Sequence, residues 1–245
     1  MNQKVILLTG GGSGIGQVTA QTLARDGHRV IIVGRNEDSL AATAQGIDSL
    51  EYVVADITNS ADIAAAIAHI RERHQRLDVL INNAGMAPVQ LLEDLDMAEF
   101  DRVYAVNVRG LVDVTRQALP LLKESRGSVI NLSTSMVDNP MGTMSVYSSS
   151  KAAVNHLSQT WAKDLARHGV RVNYMSVGPI ESPIYDKTDQ TEEERQAHIK
   201  AVTSNVPLGR FGTADEVTSV IQFLISEQAS YITGADYAVD GGFRL

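Results

Sequence analysis

Tyr147 and Lys151 stand four residues apart in a stretch that opens with Val146 and reads as a helix for about twenty residues. Side chains at i and i+4 lie one above the other on a helix face, so the lysine ammonium can approach the phenol without distorting the backbone. A phenol with a pKa near about 10 is a poor proton donor or acceptor at neutral pH. A cation held beside it favours the phenolate and brings that pKa towards a useful value. The pair is therefore a candidate general acid/base.

A second constellation could hold the reagent such a pair would serve. Val5-Ile6-Leu7-Leu8 is an apolar run of strand type that leads directly into Thr9-Gly10-Gly11-Gly12-Ser13-Gly14-Ile15-Gly16. Val18, Ala20, Leu23 and Ala24 then supply an apolar helical face that stops at Asp26-Gly27. Strand, glycine turn and helix make the first half of a dinucleotide-binding βαβ unit. Gly10 permits the tight turn, Gly14 lets backbone amides approach a pyrophosphate, and Gly16 lets the helix pack closely on the strand. The helix amino terminus brings the positive end of its dipole to the phosphate, so Ser13 and Ile15 join these glycines as candidate cofactor contacts. The next strand-like run, Arg29-Val30-Ile31-Ile32-Val33, ends in Gly34-Arg35-Asn36. An NAD site usually places an acid there for the ribose 2′-hydroxyl. Gly34 removes that carboxylate and Arg35 offers a planar fork suited to a 2′-phosphate, which favours NADP(H).

The elements that must position these groups follow from apolar runs at residues 5–9, 29–33, 52–55, 77–81, 128–133, 170–177 and 236–239, which alternate with helical stretches. That alternation predicts an α/β fold, a doubly wound Rossmann-like domain over 1–245 with about seven parallel strands and helices on both faces. A chain of 245 residues, 44% hydrophobic and 20% charged, can bury such a core. Asn59 or Ser60 caps a helix through Ile63, Ile67 and Ile70, and Thr213 with Glu216 forms a capping box before Val217, Val220, Ile221 and Leu224. Residues 184–206 exceed a plain connection and carry Thr191-Glu192-Glu193-Glu194, a helix start; they are a candidate substrate lid, with a structural helix as the alternative.

TGxxxGxG near the amino terminus with YxxxK near residue 150 resembles the short-chain dehydrogenase/reductase family, and the resemblance covers nearly the whole chain. Asn82-Asn83-Ala84-Gly85 matches the family's NNAG motif, and Asn107 the asparagine of its catalytic tetrad. Asp56 matches its adenine-contacting aspartate, followed by Ile57, and Val239-Asp240-Gly241-Gly242 its carboxy-terminal VDGG. The resemblance implies that Asn83, Ala84 and Gly85 touch the cofactor. It implies that Lys151 binds the nicotinamide ribose and that Asn107 holds a proton-relaying water. The family serine lies thirteen residues before the tyrosine, where this chain has Thr134; Ser133 or Ser135 is the alternative. The family's PG dipeptide has become Val177-Gly178; Gly178 still permits close backbone approach on the nicotinamide side, and Ile180 and Ser182 match positions that hold the carboxamide and pyrophosphate. Ser13 is uncharged where many NADP-dependent relatives are basic, which moderates the preference.

The net charge of −8 without a dense Lys/Arg cluster argues against a nucleic-acid partner, and no apolar stretch reaches the length of a membrane span. There is no cysteine, and the six histidines lack metal-ligand spacing. The chain reads as cytoplasmic and metal-free. Met136, Met141, Met144 and Met175 could line an adaptable apolar pocket or fill the core. Val217, Ile221, Tyr231, Tyr237 and Phe243 suggest an apolar end suited to a homo-oligomer, a tetramer by the resemblance. The expected activity is NADP(H)-dependent interconversion of a small carbonyl compound and its alcohol. The alternative is a cofactor-sensing regulatory protein without turnover, against which the intact Asn107, Tyr147 and Lys151 argue. A sugar-nucleotide epimerase is disfavoured by the short chain and the glycine spacing.

Overall fold

Along Val5–Thr9 (β1) alternate side chains enter two different cores: Val5 and Leu7 point to one, Ile6 and Leu8 to the other. A strand covered on both faces has no solvent side, which is why it reads as an unbroken apolar run. The computed structural model describes residues 3–181 and 199–245. After β1 come α1 (Gly14–Arg25), β2 (Arg29–Gly34), α2 (Glu37–Ala44), β3 (Leu50–Val54), α3 (Ser60–His74) and β4 (Val79–Asn82). The second half holds α4 (Met97–Tyr104), α5 (Leu111–Ser125), β5 (Ser128–Thr134), α6 (Ser145–Leu165), β6 (Arg171–Val177), α7 (Ala214–Ile225) and β7 (Asp236–Val239).

The strands form one seven-stranded sheet in the order β3-β2-β1-β4-β5-β6-β7, every pair parallel. Helices α3, α5 and α6 bury their apolar stripes on one face, and α1 and α7, with Leu40 of α2, on the other. The strand order reverses between β1 and β4. That switch opens a crevice beyond the strands' carboxyl ends, where doubly wound folds take their ligands.

Local signals set the element boundaries. Asn59, not Ser60, caps α3: its Oδ1 accepts from Ala61 N at 3.0 Å, while the Ser60 hydroxyl donates to Asp113. Thr213 and Glu216 form the expected reciprocal box at α7. Between α4 and α5 the helix widens into a π-helical turn, Ala105–Gly110, a form common at functional positions.

Burial corrects one expectation and decides another. Val217, Ile221 and Phe243 are spent on the chain's own packing, which leaves Tyr231 fully exposed and Tyr237 partly so at that end. Met175 is core filler on β6. Ser182 and most of the 184–206 lid candidate lie outside the described residues.

A buried polar ladder stitches the sheet to its helices below the site. Asn82 Nδ2 donates to Asn131 Oδ1 at 2.8 Å and to Thr115 Oγ1 at 3.0 Å, and Asn131 Nδ2 donates to Ser158 Oγ at 2.8 Å. Asn131→Ala would leave the Asn82 amide short of an acceptor inside the protein. It should cost roughly 1–3 kcal/mol in urea unfolding, and a loss below about 0.5 kcal/mol would show that the ladder is not a structural tie.

Candidate active site

The first turn of α1 carries neither a side-chain cap nor an acid: Ser13 precedes it in extended conformation with its hydroxyl unbonded to the helix amides. Leading amides normally find a partner. Here they border a cleft of about 1500 Å³, lined at this end by Gly10, Ser13, Ile15 and Gly16. Gly14, at φ +54, takes the left-handed conformation with open space beside it. At Gly16 the constraint is contact, since a Cβ would lie 2.2 Å from the Gly10 carbonyl oxygen and 2.6 Å from Asn83 Nδ2.

The glycine turn is pinned from the end of β4. Asn83 Nδ2 donates to the carbonyls of Thr9 and Gly10 at 3.0 and 3.1 Å. The Thr9 hydroxyl accepts from the amides of Asn83 and Ala84 at 3.0 and 3.1 Å. An uncapped helix start, an open left-handed glycine and a fixed turn fit a diphosphate. Thr9 is a participant that sequence reasoning passed over, because its role rests on a partner seventy-four residues away.

Along the cleft from the turn lie Gly34, Arg35, Asp56 and Ile57. Burial works to raise the Asp56 carboxyl, but two bonds from Thr58, each 2.8 Å, and the Arg35 guanidinium outweigh it and hold the group below its ordinary range. Asp56 is thus a fixed anion with Arg35 within electrostatic reach. Among the described residues lining the cleft, Arg35 and Lys151 are the only cations.

At the cleft's other end β5, α6 and the π-helical turn bring the remaining groups together. Lys151 is 4% exposed, and its Nζ donates to the Leu132 carbonyl at 2.7 Å. Burial lowers its pKa to about 8. Tyr147, also on the cleft wall, is pushed up by burial, with the Thr134 hydroxyl beside it pulling the other way. The expectation that Lys151 lowers the Tyr147 pKa is therefore not met in this structure. The ammonium is turned to a carbonyl, and desolvation dominates the phenol.

The three candidate hydroxyls separate cleanly. Ser135 is buried away from the cleft, shared between Asp240 Oδ2 at 2.9 Å and the Ser176 carbonyl at 3.2 Å. Ser133 lines the cleft but turns to the Lys151 carbonyl at 3.4 Å, whereas Thr134 both lines it and meets Tyr147. Asn107 stands behind the wall. Its Oδ1 accepts from Met86 N at 2.8 Å, and its amide donates to Met86 O at 2.9 Å and Ser150 Oγ at 3.0 Å. Both amide protons are committed, so this side chain clamps the Met86 backbone.

Asn83, Ala84, Gly85, Gly178 and Ile180 all border the same cleft. Gly178 answers a packing demand as well, because a Cβ there would sit 2.6 Å from Asp240 Cα. Met86, Val89, Met136, Met141 and Met144 give the cleft an apolar stretch of lining, with Asn139, Thr143 and Asn205 among its polar lining residues.

This geometry accords with what the chain is similar to. A family model described as enoyl-(acyl carrier protein) reductase matches residues 10–244. The chain is a short-chain dehydrogenase/reductase. Such proteins are oxidoreductases of alcohol and keto groups that use a nicotinamide nucleotide and small-molecule substrates. A 3-oxoacyl-[acyl-carrier-protein] reductase of Thermotoga maritima is 37% identical, covering 99% of this chain and 98% of its own. A 2-(S)-hydroxypropyl-CoM dehydrogenase of Xanthobacter autotrophicus is 35% identical over 99% and 97%. Among solved structures, a 3-ketoacyl-(acyl-carrier-protein) reductase from Brucella melitensis complexed with NADH superposes with a TM-score of 0.91 at 32% identity, covering 99% of this chain and 98% of its own. An L-sorbose reductase from Gluconobacter frateurii complexed with NADPH and L-sorbose gives 0.93 at 25% identity, covering 100% and 97%. Among the described residues no helix is long and apolar enough to cross a membrane.

The buried ammonium yields a stability test. Its folded pKa of about 8 lies below the unfolded value of about 10.4, so between these the unfolded chain binds more protons and stability rises with pH. Below about pH 8 the whole penalty is present. Lys151→Met should therefore be more stable than the parent at pH 7, by up to roughly 3 kcal/mol, with the gap closing as pH rises towards 10.4. Denaturant unfolding at pH 7 and pH 10 measures it, and a variant less stable at pH 7 would contradict it.

Proposed function

We propose that this chain is an NADP(H)-dependent oxidoreductase interconverting a small, largely apolar carbonyl compound and its alcohol, with Tyr147 as general acid/base. The observation that carries the reading is one cleft joining the uncapped start of α1 to Tyr147, Thr134 and Lys151. Gly10, Ser13, Gly14, Ile15 and Gly16 would take the diphosphate, Asp56 and Ile57 the adenine, and Arg35 the 2′-phosphate. Gly85, Gly178 and Ile180 border the cleft where it meets the catalytic groups. When bound, the nucleotide supplies a hydride for carbonyl reduction or takes one up in alcohol oxidation.

The residues manage the proton. Burial keeps the Tyr147 phenol protonated at neutral pH, ready to donate from Oη to the substrate oxygen in reduction and to recover the proton in oxidation. The Thr134 hydroxyl orients that oxygen. The Lys151 ammonium is the nearby cation that can leave the Leu132 carbonyl to stabilise a phenolate, and Asn107 fixes the Met86 wall opposite. Apart from Lys151, no described residue lining the substrate half is cationic, which suits an uncharged substrate. A closed homo-oligomer, a tetramer by the family likeness, belongs to the same reading, with Tyr231 among the exposed apolar groups available to it.

NADPH should bind at least about tenfold tighter than NADH, a difference of about 1.4 kcal/mol, and Arg35→Glu should reverse the order. Calorimetric titration giving equal affinities in the unaltered protein would sink the 2′-phosphate assignment. Against a panel of ketones, Tyr147→Phe should keep nucleotide affinity while turnover falls roughly 10²- to 10⁴-fold. Thr134→Ser should remain active and Thr134→Val should not. A dead Ser135→Ala beside an active Thr134→Val would move the hydroxyl role to Ser135.

A further inference from the structure

We propose that the carboxy-terminal tail sets the size of carbonyl compound that the cleft accepts, with Phe243 as a wall of its substrate half and with Arg244 and Asn139 as positioning residues that hold this wall in place. The inference rests on the reaction assigned above. Phe243 is 5% exposed yet borders the cleft. Its carbonyl accepts from Asn139 Nδ2 at 2.7 Å, and its amide donates to the Asp240 carbonyl at 3.0 Å.

The next residue makes a second tie to the same loop. Arg244 Nη1 donates to Asp236 Oδ2 on β7 and lies 3.6 Å from Asp138 Oδ2. Its backbone amide donates to Asp240 Oδ2 at 3.2 Å, and that same oxygen takes the Ser135 hydroxyl. Asp138 and Asn139 both lie between Thr134 and Tyr147, so the tail is fastened to the loop that joins the candidate hydroxyl to the candidate acid. The Leu208 amide also donates to the Gly241 carbonyl of the tail at 3.1 Å, and the segment leading to Leu208 supplies Val202 and Asn205 to the lining of the same cleft. A lone half-exposed ion pair would contribute little. Here a guanidinium between two carboxylates acts together with a part-buried amide bond to the Phe243 carbonyl, so two adjacent residues of the tail are held at once.

The test compares unaltered protein, Phe243→Ala, Arg244→Gln and Arg244→Lys on straight-chain and cyclic ketones of increasing size. Phe243→Ala should raise kcat/KM for the largest ketones over the smallest by at least about tenfold. Arg244→Gln should raise KM about tenfold with a smaller change in kcat, Arg244→Lys should recover most of that loss, and NADPH affinity should stay within about twofold in all three. A size profile unchanged by Phe243→Ala, or a nucleotide affinity in Arg244→Gln that falls as much as KM rises, would overturn the proposal.

Hydrogen exchange supplies an arm independent of turnover. In Arg244→Gln, amides of residues 138–144 and 241–245 should lose protection while the strands keep theirs. Unchanged protection there overturns the tether. If that protection is lost but the unaltered protein reduces no ketone, the tether stands and the assigned reaction falls.

Discussion

Parallel strands all end on the same side. In this chain the seven of them send Thr9, Gly34, Val54, Asn82, Thr134, Val177 and Val239 to one edge of the sheet. The connections leaving that edge carry the chemistry: the glycine turn after β1, Arg35 after β2, Asp56 after β3, Asn83 after β4 and Gly178 after β6. Because a parallel sheet is covered by helices on both faces, this edge is the place where a long ligand can lie across several strands at once. The reversal of order between β1 and β4 parts the connections there, and Asn83 bridges the gap by holding the Thr9 and Gly10 carbonyls.

The Tyr147 and Lys151 end of the cleft is built at a cost. An ammonium with 4% exposure and one carbonyl partner is held against its hydration, and its lowered pKa registers that expense. Gly85 packs beside it, where a Cβ would come into van der Waals contact with both Lys151 Nζ and Asn107 Oδ1 at 3.4 Å. The Asn107 clamp on Met86 and Ser150 then makes that corner rigid. Groups placed in this way gain most when a ligand adds a partner, which is the usual relation between a destabilised site and its activity.

What the sequence made legible is what short-range periodicity encodes. The alternation at Val5 to Leu8, the glycine turn, the Asn59 and Thr213 caps and the helix under Tyr147 are set by neighbours within one or two turns, and each stands where that logic places it. Tertiary partners decided the rest. The spacing of Tyr147 and Lys151 gives their shared helix face, but the direction of the ammonium depends on the Leu132 carbonyl, nineteen residues away. Val217 and Ile221 carry an apolar signal that core packing and subunit packing write identically, and only the position of α7 over the sheet assigns it to the core. Met175 differs from Met136 by the same kind of accident, since one points into the sheet's packing and the other into the cleft.

The two halves of the cleft follow different physical logics. The half at the glycine turn rests on backbone geometry and on the Asn83 and Thr9 bonds to it, so its shape is nearly independent of surface side chains. The other half is rich in methionines, which fill space without fixing it. A wall of flexible side chains acquires a definite shape only where rigid groups bound it. In this chain those are the Met86 backbone held by Asn107 and the Phe243 backbone held by Asn139, with Arg244 tied down next to it. One fold can therefore keep a fixed nucleotide site while its substrate changes, because the residues that shape the two halves are separate.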